Sequence, residues 1–299
     1  MGFFIKEGRL RPTWRAIIYL AAYLASQLLV QIPLALAYGA YLIATSQGVE
    51  EIALDRIPFP FLLLSTFATF LGVLLVTWAF RRFLDKEPFL DLGLRRGKWW
   101  WGQMGVGLAL GFTLMALIFG LEWGAGWLAV RGFAWQRQPI IALLGTLLGY
   151  LVFYLLVAFN EELAFRGYLL QNLCSDWGSL ISLLASSLLF GLMHGLNPHF
   201  TPLGLVGIAL AGVVMAYGYF ISRSLWLPIA FHFSWNFAQG PLFSFPVSGL
   251  VSEGVFIIEW KEASPFLTGG AFGPEGGLVG VAALLLGLLF LWLWSKRRA

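Results

Sequence analysis

Eight stretches of the chain run apolar with few interruptions, at roughly 14–44, 59–80, 103–121, 139–173, 179–194, 203–222, 226–240 and 276–295. A helix that crosses the hydrocarbon layer needs about 20 mostly apolar residues, at a rise of about 1.5 Å each. The fifth and seventh stretches are short by that measure, but their apolar neighbours leave them nowhere else to go. The pattern predicts an all-α polytopic membrane protein, a bundle of about eight transmembrane helices.

The first stretch follows a basic leader and contains Leu34-Ala35-Leu36-Ala37. Its apolar run is about twice the 7–15 residues of a signal-peptide core, so it reads as a retained span. The Gly-rich segment 264–278 lacks phosphate-loop spacing and a Lys-Ser/Thr ending, and reads as an exposed loop. No repeat of 20–50 residues stands out. The chain divides into three N-terminal spans (1–138), a core of polar-bearing helices (139–240), and an external loop with the last span (241–299).

Composition agrees with the pattern. Hydrophobic residues make up 59% and charged residues 11%, with mean hydropathy +0.80. A soluble domain averages about 25% charged residues, and this balance would leave a soluble globule with apolar patches that water does not tolerate. The net charge of +4 is gathered in short clusters: Lys6, Arg9, Arg11 and Arg15; Arg81, Arg82 and Lys86; Arg95, Arg96 and Lys98; Lys296, Arg297 and Arg298. Such clusters beside apolar runs mark cytoplasmic loops near anionic lipid. No basic stripe for nucleic acid is visible, so nucleic acid is not an expected partner. Cys174 is the single cysteine, which excludes an intrachain disulfide or a thiolate metal cluster.

The Lys/Arg asymmetry puts both termini and the loops at 81–98 and 223 in the cytoplasm, with an even number of spans. The 45–58 loop (Glu50, Glu51, Asp55) and the 241–275 loop (Glu253, Glu259, Glu262) fall outside. Trp99-Trp100-Trp101 beside Lys98 suits an interfacial anchor. The expected location is a prokaryotic plasma membrane.

Candidate chemistry lies where polar residues enter apolar helices. Residues 138–160 carry no charge before Asn160-Glu161-Glu162-Leu-Ala-Phe-Arg166; His194 closes the fifth stretch, and His232 and Asn236 sit in the seventh. An ionisable group at membrane depth costs at least about 2.5–3.5 kcal/mol, so such residues need partners or a function. Glu162 and Arg166, four apart, share a helix face and can pair. Glu161 is turned about 100° away, toward the bundle centre. His232 and Asn236 project together, and Phe190 stands one turn before His194. Glu161 with His194 can activate a water by general-base action. His232 and Asn236 can stabilise an oxyanion, and Arg166 holds positive charge near Glu161.

Each cluster alone reads as structural: an ion pair, a helix-packing histidine, a histidine at a helix end. Together they form a pattern. Glu161-Glu162-x-x-x-Arg166, Phe190-x-x-x-His194 and His232-x-x-x-Asn236 occur in that order within a hundred residues. They resemble the three motifs of the CAAX-protease and bacteriocin-processing (Abi) family of intramembrane endopeptidases, related to the type II CAAX prenyl endopeptidases. The resemblance covers roughly residues 140–240. It implies a conical, cytoplasm-facing cavity in a helical bundle, cleavage of a membrane-associated peptide or protein substrate, prenylated or not, and catalytic roles for Glu161, His194, His232 and Asn236. Glu162, Arg166 and Phe190 would support them.

A zinc version of the same chemistry would use Glu161, His194 and His232 with a water. No His-Glu-x-x-His is present, and the metal-free reading, with no cofactor, is preferred. A proton-coupled transporter would show paired repeats with broken helices, and no second copy of the polar set is found. A non-catalytic immunity or scaffold protein on the same bundle is the remaining alternative. His199 lies in a turn outside the motifs, Cys174 reads as apolar filler, and Tyr154, Tyr168 and Gln171 as lining.

Overall fold

The computed structural model describes residues 2–6, 8–45, 58–251 and 254–297. Glu50, Glu51, Asp55, Glu253 and Arg298, used above to orient the chain, lie outside the described residues. A two-stranded hairpin, β1 (Ile5–Lys6) and β2 (Arg9–Leu10), precedes α1 (Pro12–Ala44). Then come α2 (Phe59–Ala79), extended by a π-helical turn to Asp85, and α3 (Trp100–Gly124). α4 (Ile140–Glu162) runs through a π-helical turn, Leu163–Leu169, into α5 (Leu170–Trp177). α6 (Ser179–Met193), α7 (Pro202–Ser222) and α8 (Trp226–Phe237) follow, then α9 (Pro265–Thr268) and α10 (Leu278–Lys296).

The boundaries follow from local chemistry. α1, α2 and α7 each carry proline in their first turn, where a backbone N–H has no intrahelical partner to lose. Gly178, at φ 76°, breaks α5 from α6. At the start of α7, Thr201 Oγ1 accepts the Gly204 N–H at 3.0 Å.

Among the described residues, six helical stretches are long and apolar enough to cross a membrane: Pro12–Ala44, Phe59–Asp85, Trp100–Gly124, Ile140–Trp177, Pro202–Ser222 and Leu278–Lys296. The fifth and seventh apolar stretches are helices too, of 15 and 12 residues. A polytopic helical membrane bundle is therefore the architecture. Outside the helices, β3 (Leu128–Phe133) pairs antiparallel with β4 (Phe256–Trp260), a sheet within segments read from sequence as connections.

Polar ties gather the end of the bundle at which α1 begins, here the near end. Asp85 takes an ion pair from Arg15 at 3.2 Å, another from Arg81 at 3.1 Å, and the Tyr168 hydroxyl at 3.1 Å. Thr13 Oγ1 donates to Asp176 at the end of α5 (2.8 Å), and the Leu225 N–H to the Gly93 carbonyl (2.9 Å). The opposite, far end holds the β3–β4 sheet and the segments 194–201, 243–251 and 254–277.

Close helix packing depends on two glycines one turn apart. A Cβ at Gly107 would lie 2.4 Å from the Leu227 carbonyl oxygen, and one at Gly111 2.6 Å from that of Phe231. α3 and α8 touch backbone to backbone there, the small-residue contact expected where apolar burial cannot drive association in lipid. That contact seats α8, and with it His232 and Asn236.

The Gly-rich segment is not an exposed loop. Its second half winds through two short 3₁₀ turns, Gly270–Phe272 and Pro274–Gly276, with Phe272 and Glu275 buried. A Cβ at Gly207 would come within 1.8 Å of the Glu275 carbonyl oxygen. Glycines here serve close approach to α7, a use that composition does not distinguish from an exposed turn.

Candidate active site

The π-helical turn Leu163–Leu169 begins immediately after Glu161-Glu162; such interruptions recur at functional sites. Glu162 and Arg166 are fully buried and joined, Arg166 Nη1 donating to Glu162 Oε1 at 2.7 Å. Arg166 Nη2 donates to the Gly212 carbonyl on α7 at 3.1 Å, and its guanidinium lies 4.3 Å from the centre of the Phe190 ring. Phe190 in turn meets the rings of His194 and His232 edge-on, at 4.9 and 6.1 Å. The arginine thus ties α4, α6 and α7 together beneath the polar residues.

Glu161 faces both histidines. Its Oε2 lies 4.0 Å from His194 Nε2 and 3.9 Å from His232 Nε2. Those separations exceed a direct hydrogen bond. His194 Nδ1 sits 2.8 Å from the Phe190 carbonyl oxygen; a carbonyl only accepts, so the proton is assigned to Nδ1 and the Nε2 lone pair is turned to Glu161. His232 Nδ1 sits 3.2 Å from Glu162 Oε1 and donates to it by the same logic. The expected pairing of Glu162 with Arg166 is present. The His232–Glu162 contact, across 70 positions of sequence, was not foreseen.

These side chains line a cavity of about 340 Å³. Glu161, Phe190, His194, His232 and Asn236 all reach it, so the three motifs share one hollow. Tyr154 lines it as well. Tyr168 does not: it bonds Asp85 and stacks on Tyr19 (4.1 Å), and Gln171 donates to the Leu92 carbonyl, both toward the near end. Sequence reasoning missed Tyr23 and Gln27 of α1, and Ser248 and Glu275 from the far-end segments, all of which line the cavity. For Tyr23 and Gln27 the signal was faint: polar atoms one helical turn apart, in a span that also carries Tyr19, Ser26 and Gln31. Glu275 was hidden among glycines.

Glu275 is held at three points. Gln239 Nε2 donates to its Oε2 at 2.6 Å, as does the Ser248 N–H at 3.3 Å, and Ser248 Oγ donates to Oε1 at 3.2 Å. Burial pushes its carboxyl up from the ordinary 4.5 to about 7, against the lowering effect of those donors. Asn197 Nδ2 donates to the Ser248 carbonyl at 3.0 Å, so a strap of hydrogen bonds runs from the turn after His194 to the end of α8.

Among the described residues no group of three or more His, Cys, Asp or Glu is arranged to hold a metal ion. The zinc set Glu161, His194 and His232 converges on one carboxylate oxygen, with the two Nε2 atoms 4.0 and 3.9 Å from it.

Fold and site together define a membrane endopeptidase. A family model described as Type II CAAX prenyl endopeptidase Rce1-like matches residues 143–238, about a third of the chain. That segment carries all three motifs, and over it the chain is similar to this family of CAAX proteases. No curated protein and no solved structure matches it.

Proposed function

We propose that the protein hydrolyses a peptide bond of a membrane-associated peptide or protein, with Glu161 and His194 activating the water and His232 and Asn236 stabilising the oxyanion. One observation carries this reading: the Glu161 carboxylate faces two imidazole Nε2 atoms at 3.9 and 4.0 Å within one cavity. A water held between Glu161 and His194 gives its proton to Glu161 as it attacks the scissile carbonyl. The carbonyl oxygen takes the negative charge, and the Asn236 amide and the His232 Nε2–H donate to it. Donation from Nε2 alongside the Nδ1–H bond to Glu162 requires a proton on both ring nitrogens of His232. Glu161 then passes its proton to the leaving amine, which restores the site.

The reading takes all eight apolar helices as spans, which sets the motifs inside the bilayer, and treats residues 139–240 as the catalytic core between three N-terminal spans and a C-terminal loop and span. The test is cleavage of membrane-tethered peptides, prenylated and plain, by purified protein. Glu161→Gln and His194→Ala should each lower kcat by about 10²–10⁴-fold, the usual worth of a positioned acid–base group, without lowering the melting temperature. Equal cleavage by the wild type and both variants would remove these roles.

A further inference from the structure

The two ends of the bundle differ in charge. The near end carries the basic residues between 9 and 15, between 81 and 86 and between 95 and 98, with Arg223, Lys296 and Arg297. The far end carries, among the described residues, Arg131, Arg137 and Lys261, and both Arg131 and Lys261 are paired with Glu259. Lysine and arginine of short loops stay on the cytoplasmic side during insertion, where the leaflet is also anionic. The near end is therefore the cytoplasmic one.

Of the residues that line the cavity, only Leu250 is exposed, and it lies at the other end. The cavity's rim is Asn197, Ser248 and Leu250, all in far-end segments, and Leu250 is 37% exposed. Its floor is Phe165, Met215 and Phe231, each buried. Below that floor the near end is sealed by the buried side chains of Leu92, Tyr168, Leu225 and Leu227 and by the Gly93–Leu225 hydrogen bond. The helix lengths agree: α6 starts at the near-end turn around Gly178 and delivers His194 to the far end after 15 residues.

We infer that the cavity opens on the extracytoplasmic face of the membrane and that its substrate is an exported, membrane-associated peptide segment. This departs from the cytoplasm-facing cavity that the family resemblance implies. The substrate half of the inference rests on the peptidase reading above; the topological half stands without it. A peptide on the outer surface reaches Glu161 past Leu250 and Asn197, whereas a prenylated tail in the cytoplasm meets the sealed floor.

Two experiments separate the halves. In a Cys174→Ser background, Leu250→Cys at the rim and Lys98→Cys at the near end are expressed in bacterial cells and exposed to a membrane-impermeant maleimide. Trp260→Cys on β4 and Arg96→Cys repeat the comparison at positions away from the cavity. The expected result is labelling of positions 250 and 260 in intact spheroplasts, and of 96 and 98 only in inverted vesicles. The reverse pattern would overturn the inference. Single-span reporters then display one cleavable segment on either side of the membrane, and only the outward display should be cut. Cutting of the inward display alone counts against the substrate assignment. Cutting of neither removes the peptidase reading, while the labelling still decides which face the cavity serves.

Discussion

His232 turns its Nδ1 to the Oε1 of Glu162 at 3.2 Å. That oxygen already accepts Arg166 Nη1 at 2.7 Å, so a single atom of a fully buried carboxylate joins α4 to α8. The second glutamate of the Glu-Glu pair therefore orients a histidine of another helix besides neutralising an arginine. The first is left facing the cavity. Two adjacent residues of one type acquire different roles from a rotation of one helical position.

Arg166→Met should be among the most damaging single changes. It leaves the Glu162 carboxylate buried without its cation and frees the Gly212 carbonyl. Removal of one partner from a buried pair costs about 3–5 kcal/mol. The expected outcome is a sharply lower melting temperature in detergent. Glu162→Gln paired with Arg166→Met should recover part of that loss; an unchanged melting temperature for the single variant would show that the pair contributes little.

Glu275 supplies a pH dependence whose sign is determined. Its folded-state pKa is raised from 4.5 to about 7, so the folded state favours the protonated form. The associated stability is fully present below about pH 4.5 and is lost as pH rises through about 7, on the order of 3 kcal/mol in all. Glutamine can replace the carboxyl bond for bond, its oxygen accepting from Gln239 and Ser248 and its amide donating to Ser248 Oγ. Glu275→Gln should therefore match the wild type near pH 4.5 and exceed it in melting temperature at pH 8. Glu275→Ala, which drops all three bonds, should fall below the wild type at acidic pH, where the native carboxyl contributes most.

Gly107→Ala tests the seat of α8. The added methyl would meet the Leu227 carbonyl at 2.4 Å and the Ala230 Cβ at 2.9 Å, and backbone cannot yield as a side chain would. Overpacking of this kind costs about 1–3 kcal/mol. Because α8 carries His232 and Asn236, kcat should fall along with the melting temperature. Gly105→Ala, where a Cβ meets nothing within 4 Å, is the control and should be neutral.

Stringent chelation distinguishes the glutamate reaction from its zinc counterpart. Cleavage should persist undiminished in chelator, and elemental analysis of the active protein should find no stoichiometric metal. Loss of cleavage restored by added zinc would assign Glu161, His194 and His232 as ligands instead.

Much of the architecture could be read along the chain. Helix positions follow from the length and polarity of apolar runs, and proline and Gly178 mark boundaries by local sterics. The motifs were legible because Glu162 with Arg166, Phe190 with His194 and His232 with Asn236 are each four apart, and one helical turn converts that spacing into a shared face. Each of these is a property of a few consecutive residues.

What the tertiary structure alone decided concerns residues far apart in sequence. The sharing of Glu162 between Arg166 and His232, the entry of Tyr23, Gln27 and Glu275 into the cavity wall, and the end of the bundle at which that cavity opens all depend on which helix faces meet. In an apolar bundle nearly every face is equally greasy, so periodicity does not select the partner. Backbone approach at Gly107, Gly111 and Gly207 does, because only the absence of a side chain at those points lets the helices close to the distance at which the polar groups meet.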